Sequence, residues 1–475
     1  MFAGCIVLGG LALGEFDVTI MVYDEPGRPI PIIADVDVLV AGGGPAGVCA
    51  AVGAARAGAR TFLVERHGFL GGMWTAGMVL TLAGFNSWLR PYHRCVDGVA
   101  GEWIRRAAAQ NGCQDHTGFV LNSDPEVMKR VADAMIADAG VEMLLHCWSA
   151  APIMENGSVR GLCVENVDGR QAIRARVVID CTGDGDVMAR AGADWTKGDA
   201  LQPMTMAFRM GNVHIATSND IAAPVSPPIG PEPGLLGEPT LSQYASVRQD
   251  VIVDAAHMQA ERDAGRLPRY GGPWFGGLER DVVWVNSTRV VGDASDARDL
   301  TRAEVQGRAE TATIAAYMTR HLPGFEAARL LHTGTQIGVR ETRRLRGVHV
   351  LTGDDIRHRR DCHDGIALGC WPIDVHPTAE KVGHHAMYVP LPYRIPYRTM
   401  LPTNVGGLLV AGRCFSSDRN ALGSARVGAT CAALGHAAGV AAALATKARI
   451  EPAAVDATRL RAGLRDQSAM IDYPA

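Results

Sequence analysis

Five residues in the second half of this 475-residue chain have the types and settings that could move protons or hold an anion: Arg340, Asp374, His376, Arg398 and Arg426. Asp374 and His376 stand two apart in the run WPIDVH. On an extended segment residues i and i+2 share a face, so the pair could work as acid and base, or as a histidine oriented by a carboxylate. The competing reading is a surface turn in a proline-flanked loop. Arg340 closes the apolar stretch Ile337-Gly338-Val339, where a buried guanidinium needs a ligand or a carboxylate such as Glu341 or Asp374. Arginines converging on one site would suit a carboxylate, which the guanidinium fork matches in bidentate fashion. Arg344, Arg346, Arg357, Arg359 and Arg360 read instead as solvated or ion-paired faces. His384-His385 is a weaker candidate. Neither histidine motif has a third ligand at metal spacing, so no metal site is expected.

What positions such groups must come from the rest of the chain. The stretch DVDVLVAGGGPAGVCAAVGAARAGARTFLVERHG (residues 35–68) reads as a buried strand, a glycine turn, a small-residue helix and a second strand ending on Glu65. Gly42, Gly44 and Gly47 make the G-x-G-x-x-G spacing. The first permits the tight turn, the second lets backbone reach a pyrophosphate, and the third lets helix and strand pack closely. The helix start supplies unpaired N–H groups and a positive dipole end. Glu65 lies 23 residues after Gly42, where an acid accepts from a ribose hydroxyl. Without this context the triplet would be only a tightly packed turn; with it, a dinucleotide site is expected. Gly71 to Gly77 is again rich in small residues, as backbone beside a ligand would be.

Further on, Asn122-Ser123-Asp124-Pro125 starts a helix over 126–139, followed by a strand at 141–146. Short strands at 150–155, 159–167 and 171–175, split by Asn156-Gly157 and Asp168-Gly169, predict a meander. Val177–Asp180 reads as a separate buried strand ending at CTGDGD, where open α/β sheets bind ligands. Six prolines in 222–239 mark a loop, insertion or flap. Helices at 241–264 and 300–320 and strands near 283–286, 329–335 and 348–351 suggest a second, mixed domain. A strand at 407–411 and an alanine-rich helix at 432–447 close the chain.

Composition excludes several classes. A net charge of −4 and a pI near 6.4 argue against nucleic acid or an anionic membrane as partner. Eleven cysteines without a C-x-x-C pair disfavour iron–sulfur clusters, structural zinc and a redox dithiol. The odd count fits a reducing, cytoplasmic setting. Met1–Leu13 is apolar, but the first basic residue is Arg28, so neither a signal peptide nor a membrane span is expected. Residues 1–34 are taken as an N-terminal extension, with Met21 as an alternative start.

The runs DVLVAGGGPAGVCAA, VERHGFLGGMWTAG, IDCTGDGDVMARAG, QPMTMAFRMG, GVRETRRLRG, WPIDVH and LLVAGRCFSSDRNALGSARVGATCAALGHAAG occur in this order. Together they resemble the bacterial FAD-dependent oxidoreductases of the glutathione-reductase-like superfamily, and more distantly the fumarate reductase and succinate dehydrogenase flavoproteins. The likeness covers about Val36 to Leu444. It implies an α/β fold: a Rossmann-like FAD-binding domain with a mostly parallel sheet and a β-meander crossover, plus a mixed α+β substrate domain. The FAD-binding domain would take residues 35–200 and 400–447, the substrate or cap domain 201–399, and a tail 448–475.

The resemblance also implies roles for matching positions. Gly42, Gly44 and Gly47, with Pro45 and Ala46 between them, would cradle the FAD pyrophosphate. Glu65 would hold the adenosine ribose, with Arg66 and Trp148 at the adenine end. Gly71, Gly72, Met73 and Thr75 would approach the ribityl-phosphate part. Thr182-Gly183-Asp184 would form the returning strand end, and Gly412 and Arg413 would meet the ribitol. Gly428, Thr430 and Cys431 would lie under the flavin, with Thr430 and Cys431 giving N–H groups to its anionic edge. Arg426 matches an arginine that pairs with a substrate carboxylate. Where relatives often place a histidine, this chain has Arg419-Asn420, so a proton-transfer role does not carry over. No histidine for a covalent flavin link stands there, and non-covalent FAD is expected. The expected activity is removal of a hydride to flavin N5 from a small polar substrate that could bear a carboxylate, by a dehydrogenase or oxidase. The alternative is a double-bond reductase of fumarate-reductase type; a tRNA-modifying or structural flavoprotein is a lesser reading. The electron acceptor, oxygen or a carrier, and the oligomeric state stay open.

Overall fold

Strand β1 (Ile32–Ala41) is buried completely at Val38, Leu39, Val40 and Ala41, because it lies between two parallel neighbours. In the computed structural model, which describes residues 23–89, 91–115, 118, 120–214, 234–236, 254–278, 281–377 and 387–473, those neighbours are β2 (Thr61–Val64) and β6 (Gly169–Asp180). The expectations for residues 1–22, for all but 234–236 of the proline-rich run, and for His384-His385 lie outside the described residues. Strand β3 (Glu142–Leu144) extends one side of the sheet, and the meander of β4 (Trp148–Glu155) and β5 (Ser158–Asn166) extends the other. The order is β3-β2-β1-β6-β5-β4, and the late strand β11 (Leu408–Val410) pairs parallel with the end of β6.

One expectation fails here. The separate strands at 171–175 and 177–180 are a single strand, β6. Ile173, Ala175 and Val177 point inward while Arg174 and Arg176 point outward, so the period-2 pattern runs through without a break. On one edge residues 169–174 pair antiparallel with β5, and β11 takes over at 178–180. On the other edge residues 172–180 pair parallel with β1. The parallel pairing with β1, which runs to Ala41 opposite Asp180, delivers Cys181 to Asp186 to the carboxyl end of β1.

Helix α1 (Pro45–Arg56) follows β1, and helix α2 (Pro125–Asp138), capped by the Asp124 carboxylate, follows the chain toward β3. A second sheet, β8-β9-β7-β10, is antiparallel throughout and is built from β7 (Phe208–Gly211), β8 (Tyr270–Gly276), β9 (Val282–Thr288) and β10 (Arg329–Thr333). Helix α3 (Ala297–His321) covers it, burying Ile314 and Met318 against Phe208 and Val285. The expected strand at 348–351 is only a bridge from Leu351 to Ser417. The described part of the expected helix 241–264 is Ala255–Asp263.

Two short-range facts fix the core around β1. Helix α4 (Arg419–Ala425) leads directly into α5 (Gly428–Ala448), which packs along α1 through small residues. A Cβ on Gly435 would stand 1.9 Å from the Ala46 carbonyl oxygen, so the two backbones touch. Helix α5 is long and apolar enough to cross a membrane, yet 83% of that stretch is buried inside the protein.

His436 is wedged in this helix crossing, with its Nε2 2.9 Å from Gln467 Oε1. Burial pulls its pKa down to about 4. The unfolded chain therefore binds the proton first as pH falls below the ordinary value near 6.5, and stability is lost through that window. By pH ~4.5 this one residue should cost about 3 kcal/mol relative to neutral pH. Thermal denaturation against pH should show this loss, and His436→Gln should flatten it. A variant with the wild-type acid dependence contradicts the assignment.

Candidate active site

At the end of β1 the chain turns at Gly42, whose φ of +98° suits glycine and whose added Cβ would stand 2.5 Å from the Cys181 carbonyl oxygen. A Cβ on Gly47 would stand 1.7 Å from the Gly42 carbonyl oxygen. Gly44 is the N-cap of α1, and a Cβ there would meet Gly72 Cα at 3.8 Å, an ordinary contact. The result is a cavity of about 950 Å³ empty volume, walled at this end by Gly42, Gly44, Pro45 and Ala46. Gly72 and Met73 form the facing wall.

Three expected wall residues sit behind it instead. Gly47 is buried beneath the turn. Gly71 donates its N–H to Gly43 O at 2.8 Å. The Thr75 hydroxyl donates to Leu70 O at 2.8 Å and is buried. These residues shape the two facing loops rather than line the cavity.

Glu65 is on the wall, and it also pins the glycine loop. Its Oε2 accepts from the Gly43 N–H at 2.5 Å and its Oε1 from the His67 N–H at 2.8 Å. Arg66 donates to Gln336 Oε1 at 2.5 Å and lies 5.5 Å from the centre of the Trp148 ring. Arg66, His67, Trp148 and Gln336 close the far end of the cavity. His67 and Gln336 were missed in the sequence, where an isolated glutamine 270 residues from its partner carries no signal.

Opposite lie Thr182, Gly183, Asp184, Gly412 and Arg413. Asp184 Oδ1 accepts from Arg413 Nη2 at 2.8 Å and from the Thr342 hydroxyl at 2.8 Å. Burial disfavours the Arg413 cation, but the charge of Asp184 and its hydrogen bond together hold the guanidinium above its ordinary pKa. Under the loop, the wholly buried Asp180 accepts from Thr182 and from the Met188 N–H, fixing its shape.

Helix α5 reaches this cavity with Gly428 and Cys431. The expectation for its N–H groups needs correction. The Cys431 N–H is used inside the helix, donating to Val427 O at 3.0 Å. The N–H groups without an intrahelical partner are those of Gly428, Ala429 and Thr430. Thr430 itself is buried off the cavity. Cys431 contributes a thiol, pushed up to about 12 by burial.

Two facing glycine loops, two helix N-termini and a ribose-height carboxylate make an elongated cradle for a dinucleotide. The N–H groups left without intrahelical partners at the starts of α1 and α5 suit a pyrophosphate, and the cradle fits FAD.

A second cavity, of about 1440 Å³ empty volume, adjoins the first at Met73 and across Val427–Gly428. Arg340, Asp374, His376 and Arg426 all line it. His376 Nε2 lies 3.4 Å from Asp374 Oδ2, and Arg426 Nη2 lies 3.4 Å from the same oxygen. Arg426 also donates to Asp374 O at 2.7 Å and to Gly423 O at 2.9 Å. Arg340 donates to Pro203 O at 2.6 Å and to the Thr205 hydroxyl at 2.8 Å. It does not pair with Glu341, whose carboxylate is held by Arg344 and lies 3.6 Å from Arg419. Burial, then the Arg289 and Arg426 charges, pull Arg340 well below its ordinary pKa. Burial also pulls His376 well down against the opposing Asp374 charge, so its imidazole is neutral at pH 7.

Arg398 does not belong here. It lies on the short turn Tyr397–Met400, pairs with Asp364 at 3.0 Å and lines neither cavity. Arg289, which follows β9, was missed and does belong to this neighbourhood. Its Nη1 donates to Thr205, Asn286 and Thr288, and its guanidinium stacks 5.0 Å from the Trp274 ring. The expected substrate is small and polar, whereas Val79, Ala207, Trp274, Phe275, Trp284, Val339 and Trp371 make the walls largely apolar.

The fold and the first cavity define a flavin-dinucleotide oxidoreductase. The chain belongs to the FAD dependent oxidoreductase family, whose family model matches residues 37–464. Among curated proteins it is similar to a digeranylgeranylglycerophospholipid reductase of Methanoculleus marisnigri, 31% identical over 166 residues. That match covers 33% of this chain and 41% of the relative, so less than half of that relative's length is spanned. It is also similar to a thiamine thiazole synthase of Aeropyrum pernix, 27% identical over 54% of this chain and 92% of the relative. Among solved structures, a geranylgeranyl bacteriochlorophyll reductase-like protein of Thermoplasma acidophilum matches with a TM-score of 0.42, at 14% identity over 92% of this chain and 82% of that one.

Proposed function

We propose that this protein removes a hydride from a carboxylate-bearing substrate held in the second cavity, as an FAD-dependent dehydrogenase or oxidase. The oxidised carbon would bear a hydroxyl or amine, or belong to a saturated C–C bond. FAD, when bound in the first cavity, supplies the hydride acceptor. The observation that carries the reading is the junction at Met73 and Val427–Gly428, where the cofactor cradle opens onto a cavity walled by Arg340, Arg426, Asp374 and His376.

In this reading Arg340 and Arg426 bind and orient the carboxylate. His376, neutral at pH 7, accepts the substrate's second proton, and Asp374 steadies the resulting imidazolium. The apolar walls keep water from the reacting carbon. The electron acceptor is oxygen or a carrier. The described cysteines are free, which suits a reducing, cytoplasmic setting. The same walls favour a second reading, in which the enzyme runs in reverse and reduces a double bond of an apolar substrate.

Purified protein should be yellow, and acid precipitation should release the flavin into solution. Under anaerobic conditions, one class within a panel of hydroxy, amino and saturated carboxylic acids should bleach it. Recovery of colour on admitting air marks an oxidase, and persistence marks a dehydrogenase. Bleaching by none of them, with oxidation of chemically reduced enzyme by an unsaturated compound, selects the reductase. Colourless protein that takes up no FAD removes both readings.

A further inference from the structure

The second cavity has a charge pattern and a wall chemistry that together narrow what it can hold. Arg289 and Arg340 share one acceptor, the Thr205 hydroxyl, at 3.0 and 2.8 Å. That hydroxyl, which donates to Thr288 O at 2.8 Å, is uncharged and neutralises neither cation. Arg289 Nη2 is buried and has no hydrogen-bond partner among the described residues, and the residue is only 6% exposed. Among those residues the carboxylate beside the three guanidiniums is Asp374, 3.4 Å from Arg426. Glu341, behind them, is paired with Arg344 and lies 3.6 Å from Arg419, so the charge it lends Arg426 is shared among three arginines. Buried cations in excess of their carboxylates are stable only beside a further anion.

The walls around that charge are aromatic. Three of the chain's eight tryptophans, Trp274, Trp284 and Trp371, line this one cavity. Each is braced from behind: Trp274 by the Arg289 guanidinium, Trp284 by its indole N–H on Met78 O, and Trp371 by an edge-on Trp88 at 5.1 Å. A substrate carrying several hydroxyls would leave them without partners against such walls, whereas a flat apolar body gains both burial and ring contacts.

We infer that the cavity takes an amphipathic anion: one carboxylate head among Arg340, Arg426 and the supporting Arg289, and a planar apolar or aromatic body against Trp274, Trp284 and Trp371. This narrows the proposed function, on which it rests, from carboxylates in general to aromatic or similarly flat carboxylic acids. Arg289 acts as a positioning residue, since it reaches the cavity through Thr205 and Trp274.

Calorimetric titration of the purified protein tests this without requiring turnover. The probes are indole-3-acetate, indole-3-acetamide with the same body but no charge, and succinate with charge but no flat body. Indole-3-acetate should bind at least about tenfold more tightly than either of the others. Arg340→Met should weaken it by a further factor of about ten and erase its advantage over the amide. If that variant does not fold, Arg340→Lys, which keeps the charge and loses the fork, should give an intermediate loss. Equal or tighter binding of succinate or the amide, unchanged affinity in a folded Arg340 variant, or no binding of indole-3-acetate at millimolar concentration overturns the inference. Colourless protein that passes these arms keeps the ligand class and removes the redox reading. Yellow protein that fails them does the reverse.

Discussion

Gly44→Val should give a folded protein that carries almost no flavin. Gly44 has ordinary extended backbone angles, φ −73° and ψ −172°. An added Cβ would find its nearest heavy atom, Gly72 Cα, at 3.8 Å, an ordinary contact. The fold therefore has little reason to object, and a stability change of about 1 kcal/mol or less is expected, mostly from the changed N-cap. The new side chain would stand on the cavity wall at the start of α1, where a pyrophosphate must touch backbone. A drop of at least about tenfold in flavin per chain should follow, with no recovery on adding FAD. Gly47→Val makes the contrast, because its Cβ would fall 1.7 Å from the Gly42 carbonyl oxygen. That variant should lose flavin and melt at lower temperature together. Flavin content by absorbance and thermal melts on both proteins decide the matter. A yellow Gly44→Val protein with normal stoichiometry would show that this cavity is not the cofactor site.

The contrast between these glycines also explains which parts of the molecule could be read before the structure. The turn from β1 into α1 is local: its glycines, helix and terminal Glu65 all lie within 34 residues, and each constraint is set by near neighbours. Asp374 and His376 were legible for the same reason, since an i, i+2 pair on extended chain shares a face. Sequence spacing says less about which residues line a ligand and which lie one layer behind. Gly47, Gly71 and Thr75 have the small size and placement of wall residues, but they support the loops from underneath. Long-range pairing was not legible at all. Arg398 and Arg426 look alike as isolated arginines, yet Asp364 takes the first and the cavity takes the second. Arg289 gave no signal because what distinguishes it is the company of Arg340 through Thr205, 84 and 135 residues from Thr205 along the chain. The three cavity tryptophans follow no period, so the apolar wall emerged only from the fold.

Arg426→Met should lower kcat/KM for the bleaching substrate by roughly 10²–10³, about 3–4 kcal/mol, while leaving flavin content unchanged. Methionine keeps most of the apolar stem volume, so the change is chiefly the loss of charge and of the bonds to Asp374 O and Gly423 O. Two effects add. The substrate carboxylate loses a bidentate partner, and Asp374 loses the guanidinium 3.4 Å away, leaving a buried carboxylate with less compensation. Arg426→Lys should recover part of the loss, since an ammonium restores charge without the planar fork. Arg398→Met serves as the control: it touches neither cavity, so its kinetics should match the wild type even though its pairing with Asp364 is broken. Steady-state kinetics on the four proteins, with flavin occupancy measured alongside, separate these cases. If Arg426→Met retains wild-type kcat/KM, or if Arg398→Met loses as much as Arg426→Met, the anion does not bind where Arg426 and Asp374 meet. The chemistry would then have to be sought outside the junction of the two cavities.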